Sequence, residues 1–217
     1  MVRATSSDGY AFCIDAYEIT NAQYLAFTQA HSAASTTQVT QCSTNTTFLP
    51  SSKCASALND IPSRQIPVVC VDWCDAAAYC ASVDKRLCGR IGGVENPQSD
   101  YDNADACEWY AACVGPNDNA QSGTDCNDSS FDSNATAPKT AAQIPDCEGG
   151  FPGLFNLSGN VSEWENSCSG TSAGASCNLR GGSYEDGPYE LRCAAMNGSP
   201  RQTQSETIGF RCCANAH

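Results

Sequence analysis

Sixteen cysteines in a chain of 217 residues limit what it can fold into more than any other feature. In a reducing cytosol so many thiols would point to metal clusters. The zinc patterns are missing, however. No Cys-x-x-Cys occurs, Cys70 and Cys74 form the one Cys-x-x-x-Cys, and the two histidines, His31 and His217, lie far from the cysteines in sequence. The even count fits up to eight disulfides in an oxidising compartment, extracellular or periplasmic. The first residues, Met-Val-Arg-Ala-Thr-Ser-Ser-Asp-Gly, lack the apolar core of a signal peptide, so a mature form with a flexible stretch at 1–9 is expected.

A formal net charge of −13 opposes contact with phosphate backbones or anionic lipid heads. No apolar run approaches the length of a membrane span. Neither nucleic acid nor membrane insertion is expected. Hydrophobic residues make up 41% of the chain, enough for one sizeable core, so a single domain over 1–217 is the reading. Asn-x-Ser/Thr sequons fall at Asn45, Asn127, Asn134, Asn156, Asn160 and Asn197, which in so polar a chain is weak evidence for glycosylation.

The pattern predicts an α+β domain with few regular elements. Residues 12–19 alternate as a strand. Thr20-Asn21 caps a helix through Ala30, with Tyr24, Leu25 and Phe27 on its buried stripe. Residues 31–63 read as loop, and a second helix runs from Asp75 to Ser82, begun by Asp72 or Cys74. A short third helix covers 106–113. Residues 114–153 are mostly Asp, Asn, Ser, Thr, Gly and Pro and need cross-links to hold them. Closures expected from proximity are Cys42–Cys54, Cys126–Cys147 and Cys168–Cys177, with Cys74–Cys88 beside them; Cys13, Cys70, Cys107 and Cys213 are left open.

The last third is the most informative. Gly153-Leu-Phe-Asn-Leu-Ser-Gly-Asn-Val-Ser-Glu-Trp164 is followed by Arg180-Gly-Gly-Ser183 and then Gly209-Phe-Arg211. Upstream stand Asp15-Ala-Tyr-Glu-Ile-Thr-Asn21, Pro67-Val-Val-Cys-Val-Asp-Trp-Cys-Asp-Ala76, Lys85-Arg-Leu87 and Glu108-Trp-Tyr-Ala-Ala-Cys113. Together, in this order, they resemble the sulfatase-modifying-factor family, whose best-known member is the formylglycine-generating enzyme. The resemblance covers nearly the whole chain and implies a C-type lectin-like fold of that type, loop-rich and disulfide-rich. It also implies the pairings Cys80–Cys212 and Cys113–Cys193. By the family's Asn-x-x-Gly-x-Val-x-Glu pattern, calcium is expected on the Asn156 side chain, the Gly159 and Val161 carbonyls and the Glu163 carboxylate, a hard-oxygen set suited to that ion. A second family calcium site corresponds to the Asn127-Asp128 region, where the match is poor.

Catalysis is where the resemblance breaks. The family's oxidase binds copper through two thiolates just after Gly-Gly-Ser-Tyr, and soft thiolates are what Cu(I) requires. Here Glu185-Asp-Gly-Pro-Tyr-Glu-Leu191 follows Tyr184 and contains no cysteine. Copper is therefore not expected, no catalytic residue is assigned, and Ser162 stands where the family has a tryptophan. Iron held by histidines, as in ergothioneine-type relatives, lacks ligands. The reading that follows is a secreted, calcium-stabilised, non-catalytic module for binding a protein or glycan at a cell surface, or for self-assembly there. Its candidate groove comprises Ser162, Ser183, Tyr184, Glu185, Asp186, Tyr189 and Arg192. The alternative is a metal-dependent oxidase of the formylglycine-generating type with a rearranged active site.

Overall fold

The computed structural model describes residues 1–33, 36–116, 126–129 and 135–216. The sequon at Asn134 and the terminal His217 fall outside them. In chain order the elements are β1 (Val2–Thr5), β2 (Ala11–Ile14), α1 (Asn21–Ala30), α2 (Ala55–Asn59), α3 (Trp73–Ser82), β3 (Arg86–Leu87), α4 (Glu108–Val114), β4 (Ser162–Cys168), β5 (Ser176–Arg180), β6 (Asn197–Pro200), β7 (Ile208–Gly209) and β8 (Cys212–Asn215). They build two four-stranded sheets, ordered β1-β2-β8-β3 and β6-β5-β4-β7. The first is antiparallel throughout, whereas the second contains one parallel pair, β4 with β7.

The stretch expected to be flexible at 1–9 is instead largely ordered. Val2 pairs with Ile14 and Thr5 with Ala11, and Ala4 is fully buried. Small and β-branched residues alternating at 2–5 supply one more edge strand, and the Ser6 hydroxyl accepts the Tyr10 amide to close the turn. Helix α1 begins where its cap is written. The Thr20 side chain accepts the Gln23 amide, and the Gln23 side chain accepts the Thr20 amide at 2.9 Å, a reciprocal capping box. Tyr24 and Phe27 are buried, whereas Leu25 only packs at the margin. They meet Tyr79 of α3 and Phe210, with Tyr24–Tyr79 ring centroids 5.8 Å apart and Tyr79–Phe210 at 5.4 Å. A second cluster gathers Phe12, Ile14, Trp109, Leu154 and Leu157 between the first sheet and α4.

Seven disulfides cross-link this frame. Cys80–Cys212, Cys113–Cys193, Cys126–Cys147 and Cys168–Cys177 are present. Two proposed bridges are corrected. Cys42 bonds Cys74 and Cys54 bonds Cys70, in place of Cys42–Cys54. The segment at 31–63 is more than a loop. It carries α2, and its Phe48 and Leu58 sink into the α1–α3 core, which takes each cysteine to the chain around α3. Cys74–Cys88 is likewise replaced, because β3 pairs with β8 and sets Cys88 beside Cys213, its partner. Cys13 and Cys107 remain thiols.

Helix α3 starts at a second capping box, with the Asp72 side chain accepting the Asp75 amide at 2.9 Å and Asp75 accepting the Asp72 amide. Asp75 is fully buried. It takes Asn45 Nδ2 at 2.8 Å, and Gln204 Nε2 at 3.4 Å. Burial, reinforced by the neighbouring Asp72 carboxylate, pushes the Asp75 carboxyl up to about 8. Raised in the fold, this group binds its proton more tightly there than in the unfolded chain. Its stabilising contribution is complete below the unfolded value of 3.8 and is lost as pH rises towards about 8. Asp75→Asn keeps a neutral acceptor at every pH. The melting temperature of the variant relative to the parent should therefore climb across that window, as read by thermal scans at several pH values; a difference constant with pH would refute the assignment.

Candidate functional site

The Gly153–Glu165 segment forms the hub between the two sheets. Its tight turn needs backbone few residues adopt: Asn156, Gly159 and Asn160 lie at φ of 58°, 71° and 61°. A Cβ at Gly159 would stand 2.5 Å from the Asn127 carbonyl oxygen, so glycine is required there for close approach as well as for φ. From this turn β4 runs parallel to β7, with Glu163 opposite Gly209. That register sets Glu163 against Arg211, two residues past the paired glycine.

The result is a buried ionic centre. Arg211 Nη2 lies 2.7 Å from Glu163 Oε1, and its Nε donates to both Glu163 oxygens at 2.8 Å. The indole Nε1 of Trp109 donates to Glu163 Oε2 at 2.9 Å. The remaining Arg211 N–H groups go to the carbonyls of Asp15, Phe155 and Asn156. Glu18 completes the centre, accepting Asn156 Nδ2 at 3.0 Å and Asn160 Nδ2 at 2.8 Å. Burial pushes the Glu18 carboxyl up to about 7, with Arg211 opposing the shift and Glu163 reinforcing it. Neither Glu18 nor Arg211 had a role assigned from sequence. Both sit inside motifs, Asp15–Asn21 and Gly209–Arg211, and membership of those motifs was the available signal.

The four oxygens assigned to calcium are placed unequally. The Asn156 and Asn127 amides spend their N–H groups on neighbours, and their buried Oδ1 atoms have no hydrogen-bond partner among the described residues. Such orphaned oxygens suit a hard cation. Glu163 does not fit as it stands, because its carboxylate is filled by Arg211 and Trp109 and a cation there would face a guanidinium. Asn156 and Asn160 are both buried, so their sequons are closed in the folded protein.

The turn after β5 holds Glu185 and Asp186, the two residues nearest the position at which the resemblance puts the family's first thiolate, and Asp186 serves there as a structural acceptor. Its Oδ2 takes both the Ser183 amide and the Ser183 hydroxyl at 2.8 Å, and its carbonyl takes the Ser129 hydroxyl at 2.7 Å. Ser162, Ser183 and Tyr184 are buried, and Tyr184 donates its amide to the Asn160 carbonyl. Of the candidate groove, Glu185, Tyr189 and Arg192 are exposed. Arg192 stacks its guanidinium 4.2 Å from the Tyr189 ring centroid. The groove is thus divided: its serines and Tyr184 belong to the frame, and its outer residues form a polar-aromatic surface.

The two thiols sit on different elements, Cys13 on β2 and Cys107 at the N-cap of α4. Cys107 is buried at the N-cap of α4, donates to Glu165 Oε1 at 2.9 Å, and accepts the Tyr110 amide. Burial pushes its thiol well above the usual range, with the Glu165 carboxylate adding to the shift. Cys13 lies half-buried on β2, away from the turn at 183–192.

The family model for the sulfatase-modifying factor enzyme 1-like domain matches residues 4–216. Among solved structures, this chain resembles Treponema denticola variable protein 1 at 18% identity and a TM-score of 0.59, covering 95% of this chain and 85% of that one. CarF is similar at 21% identity and 0.54, covering 95% and 87%. PvdO from Pseudomonas aeruginosa is similar at 18% identity and 0.55, covering 95% and 81%. No curated protein matches. At these identities the structures speak for the fold, the α+β C-type lectin-like arrangement with its two small sheets.

Proposed function

The chain belongs to the sulfatase-modifying factor enzyme 1-like family, and from that premise we propose that it is a non-catalytic, calcium-stabilised member acting outside the cytoplasm as a binding or structural module at a cell surface. The observation that carries the reading is the turn after β5. The stretch 185–191 that follows Tyr184 contains no cysteine, and its Asp186 is committed to Ser183. Seven disulfides favour an oxidising compartment, extracellular or periplasmic. No described helix is long and apolar enough to cross a membrane. The recognition surface is the rim formed by Glu185, Tyr189 and Arg192, with Tyr189 63% exposed. Such a surface, carried on a cross-linked frame, suits a protein or glycan partner, or a second copy of the chain.

Calcium, bound through Asn156 Oδ1 and backbone oxygens of the same turn, would raise the stability of the fold without taking part in chemistry. The experiment has two readings. Cu(I) titration and oxygen-uptake measurements with a cysteine-containing peptide should give no tight stoichiometric binding and no turnover; tight binding together with turnover would establish the oxidase alternative. Separately, calcium should raise the melting temperature and a chelator should reverse it, with the increment abolished in Asn156→Ala. No calcium increment in the parent protein would remove the ion from the proposal.

A further inference from the structure

The chain has 11 lysines and arginines against 24 carboxylates, so a basic side chain without a carboxylate partner stands out. Lys53, Lys85, Arg86, Arg90, Arg180 and Arg211 each pair with one. Arg192 is exposed, and no carboxylate among the described residues pairs with it. It is nevertheless held in place. Its guanidinium stacks 4.2 Å from the Tyr189 ring centroid, and its Nε donates to the Tyr189 carbonyl at 3.2 Å. The backbone beneath it is fixed as well. Leu191 is buried, Cys193 is bonded to Cys113, and the Arg192 carbonyl accepts the Ala195 amide at 2.9 Å. Arg3 and Arg64 are also exposed, but among the described residues neither has such a stack or tether.

With Nε occupied, Nη1 and Nη2 remain as an end-on fork, the geometry that matches the two oxygens of a carboxylate. The surroundings narrow what can carry that carboxylate. Glu185 and Glu190 belong to the same turn, the first exposed and the second half-buried, and the whole chain has a formal net charge of −13. A sulfated or polyuronate chain brings many negative charges into this field and is repelled. A protein surface can set one Asp or Glu among Lys and Arg, so that a single carboxylate meets Arg192 while cations face Glu185 and Glu190.

We propose that Arg192 is the anchor for one Asp or Glu side chain of a partner protein whose surface around that carboxylate is basic. The net charge draws such a partner in, and the fork sets its register. Because Tyr189 already holds the guanidinium plane, less side-chain freedom is lost on binding than from an unsupported arginine. The anchor rests on the reading of this rim as the recognition surface and names the chemistry of what it recognises.

The test is titration of the 15N-labelled protein with two blocked peptides, acetyl-Lys-Gly-Asp-Gly-Lys-amide and the same peptide with Asn in place of Asp, and in parallel with oligogalacturonate. Saturable shifts are expected with the Asp peptide at the amides of 185–192 and at the Arg192 Nε–H, with an affinity about fivefold above that for the Asn peptide. Arg192→Gln should remove this preference. Arg192→Lys, which keeps the charge but not the fork, should restore only part of it. Both variants should melt with the parent, because the side chain is exposed. No saturable shift with the Asp peptide, equal affinity for the two peptides, a preference that survives in Arg192→Gln, or tighter binding of oligogalacturonate would each overturn the anchor. Equal affinity with shifts still centred on 185–192 would leave the rim as a recognition surface. Copper-dependent oxygen uptake would remove the binding-module reading and leave the Asp preference untouched, so the two failures are distinguishable.

Discussion

Arg211→Ala should lower stability by about 3–5 kcal/mol, the largest loss expected from any single side chain here. Arg211 is fully buried and neutralises Glu163, which is itself 1% exposed, and it faces Glu18 across the same centre. Removing the guanidinium leaves Glu163 with the Trp109 N–H as its remaining side-chain donor and orphans the carbonyls of Asp15, Phe155 and Asn156. Guanidinium unfolding with the disulfides intact measures the loss. Glu163→Gln should also destabilise, because it removes the carboxylate that pairs with the buried Arg211 cation and turns an amide NH2 group towards the Arg211 or Trp109 donor. Combined with Arg211→Met it should recover part of the loss, since a buried pair is harder to break than to replace. Near-additive losses across that cycle would mean that Arg211 and Glu163 act independently and that the centre is not a unit.

The second large effect concerns the C-terminal strand. Cys212 and Cys213 are adjacent, point to opposite faces of β8, and bond Cys80 of α3 and Cys88 after β3. Their sequence separations of 132 and 125 are the longest in the molecule. Replacing Cys80 and Cys212 by alanine should cost about 2–5 kcal/mol. Removing Cys88–Cys213 as well should add more than the first loss, because either bridge alone already closes nearly the same loop and only the second removal opens it. Denaturant midpoints of the two single-bridge variants and the combined one test this. Fully additive losses would mean that the bridges constrain different parts of the unfolded chain.

The sequence carried unequal amounts of this. Helices α1 and α3 were legible because their caps are local, Thr20 with Gln23 and Asp72 with Asp75, and each is followed by a run that buries one face. Bridges across short loops, Cys126–Cys147 and Cys168–Cys177, were legible for the same reason. Cys42–Cys74 and Cys54–Cys70 were not, because proximity along the chain favoured Cys42–Cys54, while burial of Phe48 and Leu58 carries that segment onto α3. The first strand was missed at 2–5 because a short polar-flanked edge has little pattern to display. At the candidate site, the motifs marked where the hub lies, and Glu163 was singled out for its oxygens. Its actual partner, Arg211, depends on a parallel pairing between strands far apart in sequence, which residue spacing does not encode. The turn at 183–192 was readable for what it lacks, sulfur, but the Asp186–Ser183 clasp appears only once the backbone reverses there.

The placement of these bonds also makes the molecule mechanically one-sided. A load applied at the N-terminus meets β1, β2 and α1 before the first bridged cysteine, Cys42, and hydrogen bonds can open from Val2 without loading a covalent cross-link. A load applied at the C-terminus can free Ala214 to Ala216, and then it reaches Cys213 and Cys212, where the tension passes through sulfur into β3 and α3. Under extension from both ends, the N-terminal edge is therefore the sacrificial element, and the body behind it, with its paired C-terminal anchors, keeps its shape.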